Sequence, residues 1–480
     1  MDDFEKLLET VGEVGVVEEI MHSIVYVSGL PLARPYEAIF FENGNIGQVL
    51  SLTKERVEVL ILDNNNIRVG TRAARTNDML QVPISNELIG RMIDPLGRVI
   101  DDGPIKKGEE HMSAVDTQPH GIIGRKKIET AMETGVSIAD IIVPLAKGQR
   151  ELVIGDRKTG KTEFLLQIME NQSKLGTVCI YAVIGQRKED IKRRYEFMKE
   201  KGILKNGLVV ATSSSDESGL IFFTPFTAMT IAEFFRDQGK DVLLILDDMT
   251  THARIYREIS LLARRFPGRN AYPGDIFYLH SRIIERAGNF RKGSITALPV
   301  AETIMGDLSG YLQTNLMAMT DGHIFFDIDL YNSGKRPAVS PFLSVTRVGH
   351  QAQTPLLRDV SRQVLSFLVS YERMKQFVHF GAEAGDTIRG IIELGKKVDI
   401  FFDQTTDELI PINANLIVLA AIWSGMWNET PMQNVDTEIE KIVLNYNTDA
   451  EYKKKIDKTI AVSNNFSDLI NIIRTDSSLI

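Results

Sequence analysis

Cysteine is nearly absent. One residue, Cys179, stands in a chain of 480, which excludes an internal disulfide and a cysteine-based zinc site and points to a reducing compartment. No stretch reaches the roughly 18 to 20 continuous apolar residues that a membrane-spanning helix needs. The richest, Leu416 to Trp427, is too short, so any work at a membrane would be done from outside it. The opening MDDFEKLLETVGEV lacks the cationic-then-apolar order of a secretory signal. The expected location is therefore the cytoplasm, peripheral at the inner face of the cell membrane if the work is membrane-linked. An HExxH pair, a cluster of His, Cys, Asp and Glu, and a GxSxG nucleophile elbow are all missing, which argues against a transition-metal centre and a serine hydrolase. Basic residues (55) are outnumbered by acidic ones (64), and the net charge of −9 weighs against nucleic acid as a partner.

What is present is an ordinary globular balance, 43% apolar and 25% charged, in a chain long enough for two to four domains. From Val14 to about Val82 short β-segments (Ile24 to Val27, Ile46 to Leu52, Val57 to Leu62) are separated by turn-formers such as Glu42-Asn43-Gly44-Asn45. They predict a small β-barrel or sandwich. The run Asp63-Asn64-Asn65-Asn66 reads as a hairpin turn, because Asn tolerates positive φ. From about Pro83 to Gln353, apolar strand cores at 152–154, 178–184, 208–210 and 242–246 alternate with helical stretches, the pattern of a parallel sheet with crossover helices. After about Thr354 helical spacing takes over, with Val364, Phe367, Leu368 and Tyr371 on one face. Lys453-Lys454-Lys455 reads as a solvated helix face. The expected fold is thus an N-terminal β-barrel (1–82), a central P-loop α/β nucleotide-binding domain (83–353) and a C-terminal helical bundle (354–480).

Ligands in parallel sheets bind beyond the strands' carboxyl ends, so the loops there carry the chemistry. After Leu152-Val153-Ile154 comes Gly155-Asp156-Arg157-Lys158-Thr159-Gly160-Lys161-Thr162, followed by the apolar opening of a helix. This is GxxxxGKT in its strand-loop-helix context. The glycines let backbone N–H groups face an anion, the helix N-terminus adds its dipole, and Lys161 supplies a point charge. The Thr162 hydroxyl is offered to Mg²⁺. Glu163, about 100° round the helix, should be exposed. The strand Val242 to Leu246 ends in Asp247-Asp248, and Asp247 is the expected second Mg²⁺ partner, through water. Strand Val178 to Ile184 runs into Gly185-Gln186-Arg187, a place suited to a water-activating group. An amide can orient water but cannot take its proton, and a turn amide without a role is the other reading of Gln186.

These residues resemble the alpha subunit of F-type ATP synthases over nearly the whole length. GDRKTGKT is similar to that family's phosphate loop and YAVIGQRK to its IGQK segment. SLLARRFPGRNAYPGDIFYLHSRIIERA (260–287), GSITALPVAETIMGDLSGYLQTN (293–315) and RPAVSPFLSVTRVG (336–349) follow its signatures closely. The resemblance implies an alternating hexamer of alpha-type and catalytic beta-type subunits around a gamma-type shaft, with ATP or ADP and Mg²⁺ bound but not turned over on alpha. Gln186 falls where the catalytic subunit carries glutamate. Arg347 matches the arginine finger that reaches into the neighbouring beta site, Tyr331 and Arg336 match base and ribose contacts, and Gln404 matches an adenine-side glutamine. A second such glutamine would fall near Thr406. Lys158 replaces the usual glutamine, Ala318 a usual serine, and about a dozen residues precede Val14 where the family carries a longer stalk-docking extension. That last departure raises a second reading, the same subunit in an F-type-like ATPase driving motility or another machine instead of a proton-coupled membrane sector. A homohexameric export or flagellar ATPase is a third, which would require glutamate at 186.

Overall fold

The computed structural model describes residues 3–63, 66–103, 110–379 and 385–480. The chain divides into two compact units, one of 1–126, 173–302 and 308–320, the other of 127–172, 303–307 and 321–480.

The first unit begins with a closed barrel of six strands, β1 (Val14–Met21), β2 (Ile24–Ser28), β3 (Glu37–Phe41), β4 (Ile46–Leu52), β5 (Val57–Ile61) and β6 (Arg72–Met79), in the order β1-β2-β5-β4-β3-β6. Closure removes the free edges a small sheet would otherwise expose. Alternation in β1 puts Val14 and Val16 outside and Val17 inside, where it joins Val27, Ile39, Phe41, Val49 and Val59 in the core. A Cβ on Gly15 would lie 2.6 Å from Val27, so only glycine fits there. Ahead of the barrel, the helix Asp3–Val11 buries Phe4 under the Arg72 guanidinium, 5.1 Å from the ring centre. β5 and β6 are not neighbours, so the Asp63–Asn66 run does not close a hairpin; Asn64 and Asn65 lie outside the described residues, and Asn66 has φ +58°.

The same unit holds five parallel strands, ordered Ser294–Glu302, Asp241–Asp247, Val178–Gln186, Gly207–Ser213 and Met92–Ile93. The middle strands are buried on both faces, which is why they read as unbroken apolar runs instead of alternating. The helix Ser218–Asp237 is long and apolar enough to pass for a membrane span, yet 94% of its apolar window is buried within the protein. Gly219 lets this helix meet the barrel: a Cβ there would fall 2.1 Å from Ile61 O.

In the second unit, Glu151–Gly155 runs parallel to Gly322–Phe326, which pairs antiparallel with Val345–Thr346. Among the described residues seven α-helices follow, the short Gly349–Ala352 and then Pro355–His379, Asp386–Phe402, Ile412–Ser424, Met432–Thr448, Ala450–Val462 and Phe466–Thr475. The apolar run noted in the sequence is the Ile412–Ser424 helix, buried nearly all round. Each of its Leu, Ile and Val side chains contributes about 1.5–3 kcal/mol by leaving water. Trp423 extends this core edge-on to Phe367 and Phe466, at 5.2 and 5.6 Å. Gly425, at φ +83°, ends the helix. Val364, Leu368 and Tyr371 are buried as their spacing required, with Phe367 half-buried. Gly395 faces Tyr371 so closely that a Cβ would sit 2.2 Å from its ring, so alanine there would push two helices apart. Lys453 and Lys454 are exposed.

Candidate functional site

The phosphate loop is built in the second unit. The strand Glu151–Gly155 ends where Gly155 passes Phe326, whose carbonyl oxygen would be 2.4 Å from any Cβ. Lys158 and Gly160 take positive φ, +61° and +88°, which turns the loop back on itself before the Lys161–Lys174 helix starts. The Lys161 side chain is nearly buried, and its ammonium donates to Gly155 O at 2.9 Å and to Asp156 O. Thr159 Oγ1 donates to Asp156 O at 2.8 Å. Arg157, Lys158 and Glu163 are exposed. The Thr162 hydroxyl, half-buried in the first helical turn, makes no hydrogen bond among the described residues.

Asp156 does what its place in the loop did not announce. Its carboxylate accepts from Gly306 N at 3.0 Å and from the Thr303 hydroxyl, tying the loop to the segment 303–307. No local spacing joins residues about 150 positions apart, so this contact is a product of the tertiary fold.

Tyr331, in the helix Ile328–Asn332, brings a ring carbon within 3.8 Å of where a Cβ on Gly160 would stand. Arg336 lies over the other part of this platform, donating to Tyr331 O and Lys335 O at 2.9 and 2.8 Å. Gln404 N donates to Arg336 O at 2.7 Å, so the three expected base-side residues are held together. The Gln404 amide is buried and faces the backbone: Oε1 accepts from Ser137 N at 2.9 Å, and Nε2 donates to Gly135 O and Glu408 O, both at 2.8 Å. It therefore shapes the loop it sits in. Thr406 is exposed.

Arg347 follows the strand Val345–Thr346 and is exposed. Its guanidinium makes no hydrogen bond or ion pair among the described residues, though its charge reaches buried Glu151 and half-buried His323.

In the first unit, Asp247 closes the strand Asp241–Asp247. Its Oδ2 accepts from Tyr181 Oη at 2.6 Å and faces Arg194 at 3.3 Å; the other oxygen has no partner among the described residues. Tyr181 and Arg194 escaped the sequence reading because they come from a neighbouring strand and the helix after it. Gln186 Nε2 donates to Asp247 O at 3.2 Å, so the amide and the strand-end acid meet. Asp248 caps the Met249–Leu262 helix through Thr251 N. Its burial, with the charges of Asp247 and Glu302 nearby, raises its carboxyl to about 7. Ala318 is exposed on the helix Tyr311–Met319.

Each unit offers an oxygen donor of the kind Mg²⁺ takes, directly or through water: the Thr162 hydroxyl in the second and the Asp247 carboxylate in the first.

Residues 135–346 match the model of the ATP synthase alpha/beta family nucleotide-binding domain, and residues 353–475 match the C-terminal domain of the ATP synthase alpha/beta chain. A protein named ATP synthase subunit alpha from Neorickettsia sennetsu is 36% identical over 444 residues, covering 90% of this chain and 87% of the relative. Another of that name from Staphylococcus aureus is 38% identical over 432 residues, covering 89% and 86%.

Proposed function

The chain belongs to the ATP synthase alpha/beta family, and on that premise we propose that it is the non-catalytic, MgATP-binding alpha-type subunit of an F-type rotary ATPase. Its partners are a catalytic beta-type subunit, alternating with it in a hexamer, and a gamma-type shaft, at the cytoplasmic face of the membrane. The barrel (1–82), the nucleotide domain (83–353) and the helical domain (354–480) are its functional parts.

Position 186 carries the reading. The side chain at the end of the strand Val178–Gln186 is an amide donating to Asp247 O, and an amide has no basic oxygen to accept a proton from attacking water. The loop meanwhile retains what binding needs. Gly155 to Thr162 bind the phosphates, with Lys161 as the point charge and Asp156 fastening the loop. Thr162 would offer Mg²⁺ its hydroxyl and Asp247 its carboxylate, and the ion would neutralise phosphate charge when bound. Tyr331 offers the base a flat apolar face, Arg336 stiffens that face, and Gln404 keeps the adjoining loop in place. Arg347 is free to serve another subunit, where a guanidinium would offset charge developing on the transferred phosphoryl group.

ATP turnover by the chain alone, compared with the size-isolated assembly with its beta-type partner, tests this. Activity confined to the assembly is expected. Equal activity alone, abolished by Lys161→Ala, would replace the reading with that of a self-sufficient ATPase.

A further inference from the structure

Arg347 leaves the chain from a turn that is fastened at Thr346, at its own backbone N–H and at Gly349. The Thr346 hydroxyl donates to Pro144 O at 3.1 Å and accepts from Gly349 N at 3.1 Å and from Gln149 Nε2 at 3.0 Å. Arg347 N donates to Asp321 O at 3.1 Å. The Asp321 carboxylate is in turn clamped by Arg150, through Nη2 at 2.8 Å and the backbone N–H at 2.9 Å. Gly349 cannot be replaced, since a Cβ would fall 1.7 Å from Pro144 O.

Behind the turn stands Gln149. Its Oε1 accepts from Ala146 N at 2.9 Å, and the two hydrogens of Nε2 go to Thr346 Oγ1 and, at 2.6 Å, to Glu151 Oε2. These three bonds fix which way the amide faces. Glu151 is wholly buried, and its Oε1 has no hydrogen-bond partner. Burial pushes this carboxyl well above the usual range and Asp321 adds to the shift, while the Gln149 bond and the Arg347 charge oppose it. A hydrocarbon of similar size would fill this space without the desolvation cost. What the acid supplies, and a hydrocarbon would not, is an acceptor for the second hydrogen of Gln149.

We propose that Gln149 and Glu151 are positioning residues for Arg347: Glu151 orients the Gln149 amide, the amide holds the Thr346 hydroxyl, and that hydroxyl sets the turn from which the guanidinium projects. This rests on the arginine-finger reading of Arg347 given above. Only an acceptor is required at position 151, so glutamine should serve there and leucine should not.

The test uses the assembled complex carrying Glu151→Leu, Gln149→Leu, Glu151→Gln or Arg347→Ala. It measures turnover, the melting temperature, and the affinity of this chain for MgATP. Glu151→Leu and Gln149→Leu should each lower kcat by about 10- to 100-fold, the loss that an ångström-scale misplacement brings, with melting temperature and MgATP affinity unchanged. Glu151→Gln should restore turnover to about the parent value. The proposal is overturned if Glu151→Leu keeps full turnover, if Glu151→Gln is as damaging as leucine, or if turnover, melting temperature and affinity fall together. Arg347→Ala separates the two levels: should it leave turnover intact, the arginine-finger reading fails and the proposal with it. Should it collapse turnover while Glu151→Leu does not, the positioning proposal alone fails.

Discussion

The guanidinium of Arg336 lies 3.7 Å from the centre of the Tyr331 ring. At that distance the cation and the ring's negative face attract each other, and the two backbone carbonyls that Arg336 also binds prevent it from swinging away. One face of Tyr331 is thus committed to the protein, and the ring is stiff before any ligand arrives. Tyr331→Ala should weaken MgATP binding by about 1–3 kcal/mol, the usual value of a base-on-aromatic contact. The Tyr331 hydroxyl makes no hydrogen bond among the described residues, so Tyr331→Phe should bind as the parent does. Isothermal titration of both variants checks the pair, and equal loss in the two would show that the hydroxyl, not the ring, is what the nucleotide uses.

Lys161 is the loop's only buried lysine, held against Gly155 O and Asp156 O. Lys161→Ala should remove the nucleotide-induced rise in melting temperature. In the parent, ligand at about 100 times its Kd adds roughly 2.7 kcal/mol of stability. Scanning calorimetry with and without MgATP reads this out, and an unchanged rise would exclude Lys161 from phosphate binding.

Arg347 stands exposed and unpaired among the described residues, so its removal should cost this chain nothing. Arg347→Ala is expected to leave MgATP binding here within error while lowering turnover of the assembly by about 10³–10⁵. Steady-state kinetics and equilibrium binding on the same preparation decide it, since parallel losses would contradict a role in trans.

Asp140, which shares Gly135 as a partner with Gln404 but has no nucleotide role itself, provides a pH test. Burial raises its carboxyl to about 7, despite bonds from Thr134 N and Oγ1, both at 2.8 Å, and from Gly135 N at 3.1 Å. A carboxyl with a raised folded value holds its proton longer in the folded than in the unfolded chain. Stability is therefore greatest below the unfolded value near 4 and falls as pH rises towards 7, by at most about 4 kcal/mol. Asp140→Asn should lose about 1–3 kcal/mol at low pH, because its NH₂ cannot accept from Gly135 N, and should flatten the decline between about pH 4 and 7. Denaturation across that range measures both. A parent slope retained in the variant would assign the decline to another group.

Much of this site was legible because its parts are local. A strand, a glycine-bearing loop, Lys161-Thr162 and an apolar helix lie within one short stretch, and the apolar run before Asp247 marks a buried parallel strand. The N-terminal strands were readable as short β-segments between turn-formers, which suit a barrel or a sandwich, and the helical domain from spacing such as Val364, Leu368, Tyr371. What stayed hidden is what only the folded chain brings together. Asp156 is bonded to Thr303 and Gly306, Tyr181 and Arg194 converge on Asp247, and Gln404 spends its amide on Gly135, Ser137 and Glu408. The Asp63–Asn66 run failed as a hairpin for a related reason: residue type favours a turn, but which strands pair is settled by closure of the barrel.

The Ser218–Asp237 helix carries a cost that precedes any function. On the ribosome it emerges after the strands Val178–Gln186 and Gly207–Ser213 but before Asp241–Asp247 and Ser294–Glu302, which complete the sheet beside it. At about 5–20 residues per second, several seconds pass before the last of those strands has been made. For that interval a segment with the hydropathy of a membrane span is only partly covered, and it is exposed to capture by chaperones, by lipid or by other nascent copies. Yield of this chain should therefore be decided during synthesis, by how quickly residues 241–302 follow, more than by the stability of the finished fold.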